Sequence, residues 1–172
     1  MDNISVGDKV IYPNQGIGIV EDIQKANLYG EESCIFHLRI LTNDTLIMVP
    51  STSAKEIGIR RLASEKKVKQ LFHFLENGAV NVTKNWKGRY KEHVELMKSG
   101  SILDVAMVLK SLFYLDMDKP LSFREKKMME KAKELLVMEI CEVSEGTLEE
   151  ITHQVQNKLS VSFKNNVHPI DS

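Results

Sequence analysis

The hydrophobic pattern changes period once, near residues 62–65, and this change limits what the chain can build. Before it, apolar residues alternate with polar ones, the period of a half-buried strand; after it they recur every three to four residues, the period of a helix face. Strands are predicted over residues 6–12, 17–23, 34–40, 45–49 and 57–60. Turn residues separate them: Pro13, Asn14 and Gly16, then Gly30, then Asn43 and Asp44, with Pro50 ending the fourth. Helices are predicted over residues 65–76, 84–99, from Ser101 to a break at 116–120, 123–143 and 148–159. Ser101 and Ser122 open theirs with capping-box spacing to Asp104 and Glu125. The expected fold is therefore α+β in two domains. Residues 1–62 form a small, strongly twisted, partly open β-barrel with a free edge. Residues 63–159 form an all-α domain of about five helices, and residues 160–172 a mobile tail.

At 172 residues with 42% hydrophobic content, the chain can bury a core without disulfide staples. Cys34 and Cys141 are far apart, which reads as two reduced thiols in a cytoplasmic protein. The amino terminus has neither the basic nor the apolar run of a secretory signal. No apolar run nears the roughly 20 residues that span a bilayer, so no membrane role is expected. The net charge is −1, but residues 61–100 carry +5 while the segments on either side carry −3 each. A protein that coats DNA unaided would be basic throughout; a local patch suits weak contact delivered by a partner.

The centre of that patch is the stretch 82–91, which contains Trp86, the one tryptophan, and Lys84, Lys87, Arg89 and Lys91, with no acid among them. Thr83 reads as the helix N-cap, which puts Trp86 in the first turn, at the positive end of the helix dipole. An apolar wedge among cations suits a nucleic-acid backbone and a disrupted base step. Yet Trp86, Tyr90, Val94 and Met97 also follow helical spacing, the signature of a buried stripe. The residues alone leave both readings open.

No catalytic constellation is present. The five histidines are scattered without metal-ligand spacing, and Gly16 and Gly18 lack the third glycine and helix of a dinucleotide fingerprint. No enzyme activity, metal or cofactor is expected.

The stretch Val6-Gly7-Asp8-Lys9-Val10-Ile11-Tyr12-Pro13 followed by Gly16, with Val49-Pro50, resembles the CarD family of bacterial transcription regulators and the polymerase-interacting domain of the transcription-repair coupling factor. Asn85-Trp86, Arg89-Tyr90-Lys91, Ser99-Gly100, Leu121-Ser122 and Glu125-Lys126 are similar to the helical domain of CarD proteins alone. The resemblance runs over residues 4–143. It implies a Tudor-like barrel that binds the RNA polymerase β subunit by strand-edge pairing, and a helical domain that meets promoter DNA upstream of the melted region. Trp86 would wedge into the minor groove, largely independently of sequence, and stabilise the open complex. Arg89 and Lys91 match basic positions of the family motif, and Lys126, with Lys127 beside it, a second basic patch. Asn85 precedes the wedge, and Lys84 and Lys87 join the DNA set from local charge. On the barrel, Ile47, Met48, Val49 and Pro50, with Lys25, would face the polymerase. Three positions depart from the family pattern. Met48 stands where members often carry a basic residue, Lys25 lies one position before the basic residue expected near Ala26, and Gly88 replaces an arginine of some members. The free protein is expected to be a monomer. The competing readings are a protein-docking module with Trp86 buried, and a DNA binder independent of polymerase.

Overall fold

A computed structural model describes residues 4–28, 30–82 and 85–165. The chain divides into two compact units that part between Leu62 and Ala63, with residues 98–100 counted in the first.

The first unit is a five-stranded antiparallel sheet: β1 (Lys9–Tyr12), β2 (Gly16–Leu28), β3 (Glu31–Ile40), β4 (Leu46–Pro50) and β5 (Arg60–Arg61). The order is β4-β3-β2-β1-β5, so β4 and β5 are the two edges. Among the described residues no β4–β5 pairing closes the sheet; the expected free edge is present, as β4 and β5 both are edges, and what stands is an open twisted sheet. Alternation brings Val10, Val20, Phe36, Leu38 and Val49 onto one buried face. A bulge at Val20/Asp22 shifts the β2–β3 register.

The stretch predicted as a strand over 57–60 is mostly something else. Residues Ser51–Ile57 form a short helix, α1, and only Arg60–Arg61 pair with β1. Gly58 ends α1 at φ +86°, a left-handed cap that glycine adopts without strain. Ala54 is the one fully buried side chain of α1, so the segment has no stripe from which its period could be read.

The second unit contains α2 (Glu65–Asn77), α3 (Trp86–Lys98), α4 (Ile102–Asp118), α5 (Phe123–Ser144) and α6 (Leu148–Asn165). Leu71, Leu75, Leu109, Leu112, Leu136, Ile140 and Leu159 are buried in its core. Local chemistry starts the helices. Ser64 accepts from Lys67 N–H at 3.2 Å and Ser101 from Asp104 N–H at 3.4 Å, while Ser122 and Glu125 complete a reciprocal capping box. The last helix runs to Asn165, past the end expected at Leu159. Ser162 is buried with its hydroxyl 2.8 Å from that of Tyr114, and the Phe163 ring meets Tyr114 edge-on at 5.3 Å. The first six residues assigned to the tail are therefore helical. Residues 166–172 lie outside the described part.

Lys110 is fully buried on α4. Its ammonium donates to the carbonyls of Phe74 (2.9 Å) and Gly78 (2.6 Å) and so closes the carboxyl end of α2. Burial lowers its pKa to about 8. Lys110→Ala is expected to destabilise the protein by about 3 kcal/mol in urea denaturation, since it leaves a cavity and takes a donor from two carbonyls, of which, among the described residues, only that of Phe74 keeps another, the Gly78 N–H at 2.8 Å. A loss under about 1 kcal/mol would mean that these carbonyls find water instead.

Candidate functional site

The first turn of α3 is the centre of the site. Asn85 caps it: the Asn85 carbonyl accepts from Arg89 N–H at 3.0 Å, and its side-chain oxygen from Gly88 N–H at a long 3.5 Å. The helix thus starts two residues later than expected, and Trp86 is its first residue. Thr83 and Lys84 lie outside the described residues.

Trp86 is 53% exposed. It nevertheless falls on the same helical face as the buried line Arg89, His93 and Met97. The stripe reading was right about the face and wrong about depth. The core stops short of the first turn, and the indole projects past its end, with Tyr90 and Val94 half-buried behind it. Beside it opens a cavity of about 640 Å³, lined among others by Arg89, Leu115, Pro120, Leu121 and Glu125. The Lys87 ammonium lies 5.8 Å from the indole centroid, within cation–π range.

Arg89 does not share this exposure. It is 9% exposed, and its Nε and Nη2 both donate to Glu125 Oε1, at 2.9 and 2.6 Å. Its place among the outward-facing DNA cations is corrected accordingly. In the second turn of a helix whose line 89, 93 and 97 points inward, the guanidinium meets a carboxylate on α5 rather than solvent. Burial pushes the Glu125 pKa up, but the bonds from Arg89 and Ser122 and the Arg89 charge outweigh it, and the net shift is downward. Buried His93 is shifted down, chiefly by desolvation, and its Nδ1 has no hydrogen-bond partner.

Lys91, Lys126 and Lys127 are exposed, as the sequence implied. A residue the sequence reading overlooked joins them. Phe123, the first residue of α5, is 72% exposed, with the Lys127 ammonium 4.5 Å from its ring centroid. Two helices of this unit thus begin with an exposed aromatic under a lysine. The available signal was the Ser122 capping box, which marks Phe123 as the first residue of a helix but does not reveal its exposure.

On the sheet, β4 is an edge strand with Met48 64% exposed and Leu46 also exposed. Ile47 and Pro50 are half-buried. Val49 is buried and paired with Phe36, and in this register its N–H and C=O face β3 rather than the open edge. Lys25 is exposed on β2 and pairs with Cys34, beside a depression of about 550 Å³ that Glu32 and Ser51 also line. Among the described residues no His, Cys, Asp or Glu cluster is arranged to hold a metal, and no helix is long and apolar enough to cross a membrane.

The family model for the CarD C-terminal domain matches residues 70–156, and that for the CarD-like/TRCF RID domain matches residues 4–63. The chain belongs to the CarD family. The CarD resemblance drawn from the Trp86 motif and the early glycines is thereby borne out. The chain is also 30% identical over 144 residues to YdeB of Bacillus subtilis (strain 168), named as a transcription factor; the match covers 84% of this chain and 94% of YdeB. Membership in the CarD family makes this chain a transcription regulator of a class that interacts with RNA polymerase.

Proposed function

We propose that the protein binds the RNA polymerase β subunit through its sheet unit, residues 1–62, and stabilises the open promoter complex through its helical unit, residues 63–159. The observation that carries this reading is the exposed Trp86 at the start of α3 with Lys87 beside it. An indole there enters the minor groove at the upstream edge of the bubble, where unstacking a base step costs least because the duplex is already opening. A wedge that fits only the melted fork binds the open state better than the closed one. It shifts the population by that difference and no more. Lys87, Lys91, Lys126 and Lys127, with Asn85 at the helix start and Lys84 before it in the sequence, hold phosphates without reading bases. Phe123 offers a second apolar contact. Arg89 acts from inside.

The sheet, a Tudor-like partly open barrel in this reading, offers β4 as an edge for a strand of the polymerase. Ile47, Met48 and Pro50 supply side chains, Met48 also its edge-facing backbone, Val49 anchors the strand from the buried face, and Lys25 adds a charge near the far end. The free chain is a monomer in the cytoplasm and reaches the nucleoid through the polymerase. A docking module with no DNA role has less support, because its premise was a buried Trp86.

The direct test is open-complex lifetime with the wild type and with Trp86→Ala. For the sheet, Met48→Glu is expected to weaken polymerase binding about tenfold, because it sets a charge on the edge that must pair, while the helical unit stays folded. Unchanged affinity in a titration with polymerase would remove this strand face from the interface.

A further inference from the structure

We propose that the Glu125 carboxylate is the positioning group for Trp86: it holds the starts of α3 and α5 together and so fixes where the indole stands. The inference rests on the reading of Trp86 as the group that meets DNA, and adds what aims it.

Both oxygens of Glu125 are engaged. Oε1 takes two bonds from Arg89, three residues beyond Trp86, while Oε2 takes the Ser122 hydroxyl at 2.9 Å and the Ser122 N–H at 3.3 Å. The carboxylate is 4% exposed, so neither it nor Arg89 can trade the other for water without leaving a buried charge alone. The capping box fixes Glu125 to α5, and Glu125 fixes Arg89, hence the first turns of α3.

Apolar packing does not replace this tie. The buried side chains of α3 are Arg89, His93 and Met97, of which the one apolar member lies at the far end, while Tyr90, Val94 and Leu96 are only half-buried. Trp86 is about 16 Å from Met97 along the axis, at 1.5 Å per residue. A tilt of about 10° about Met97 would therefore swing the indole by about 3 Å, close to one base step. A wedge that must enter one step cannot tolerate that freedom.

Because Trp86 is the single tryptophan, time-resolved fluorescence anisotropy of the full chain reads its motion without a label. Glu125→Gln and Arg89→Met are expected to enlarge the fast depolarising component about twofold, and to shorten open-complex lifetime about threefold, with polymerase affinity unchanged. Arg89→Lys, which keeps the charge but not the two convergent donors, recovers part of both. Val155→Ala, a core truncation on α6, controls for general loss of stability and leaves Trp86 motion as in the wild type. If a single variant does not fold by circular dichroism, Arg89→Met with Glu125→Met, which buries no lone charge, is measured against the same criteria. Wild-type anisotropy in the folded variants, or equal loosening in Val155→Ala, overturns the proposal. Loosened anisotropy together with an unaltered lifetime in Trp86→Ala defeats the wedge and leaves the positioning role standing.

Discussion

Trp86→Ala will shorten the lifetime of open promoter complexes about tenfold relative to the wild-type protein and leave the affinity for RNA polymerase unchanged. The magnitude follows from stacking. Truncating an aromatic side chain that stacks on a base costs about 1–3 kcal/mol, and about 1.4 kcal/mol is a factor of ten. That energy counts in full only if the contact exists in the open state and not in the closed one, as a minor-groove wedge at a half-melted step requires. Exposure argues that little of it is spent on folding. The ring is 53% exposed, so its removal opens no cavity in the helical core. Polymerase affinity is read separately, because the residues assigned to that contact lie on β2 and β4. Dissociation of preformed complexes under competitor, with each protein at saturation, gives the lifetimes. Equal values for wild type and variant would remove the indole from the mechanism.

Much of the fold was legible because its signals are local. The period change separates sheet from helices in the chain as it does in the structure, and Ser64, Ser101 and Ser122 each accept a first-turn N–H. Two elements escaped for local reasons too. Helix α1 has too few buried positions to show a period, and α6 continues past Leu159 because Ser162 and Phe163 find partners on α4, which no spacing reveals. A free edge was expected from the short strands, but which strands form it depends on distant pairings that alternation along a strand does not encode.

The site divides along the same line. Helical spacing placed Trp86 on the inward face but could not say where along the axis the core ends. Phe123 had a readable cap and an unreadable exposure. Lys110, a residue type expected in water, is buried because two carbonyls at the end of α2 await it from 32 and 36 residues away.

Arg89 and Lys91 sharpen the point, since composition treats them as two cations of one patch. They should fail in opposite ways. Arg89→Ala leaves the buried Glu125 charge without its main partner, and is expected to destabilise the helical unit by about 3–5 kcal/mol in urea denaturation. Lys91 is exposed; Lys91→Ala should change stability by less than about 0.5 kcal/mol. Its effect belongs to the phosphates. If it neutralises one, the dependence of DNA-bound stability on log salt should lose about 0.9 of slope, while Arg89→Lys, with the charge still inside, should leave that slope intact. The two measurements are independent, so each residue can be assigned by itself. A variant of Arg89 that kept full stability yet flattened the salt dependence would put the guanidinium on the outside, against the backbone of the DNA.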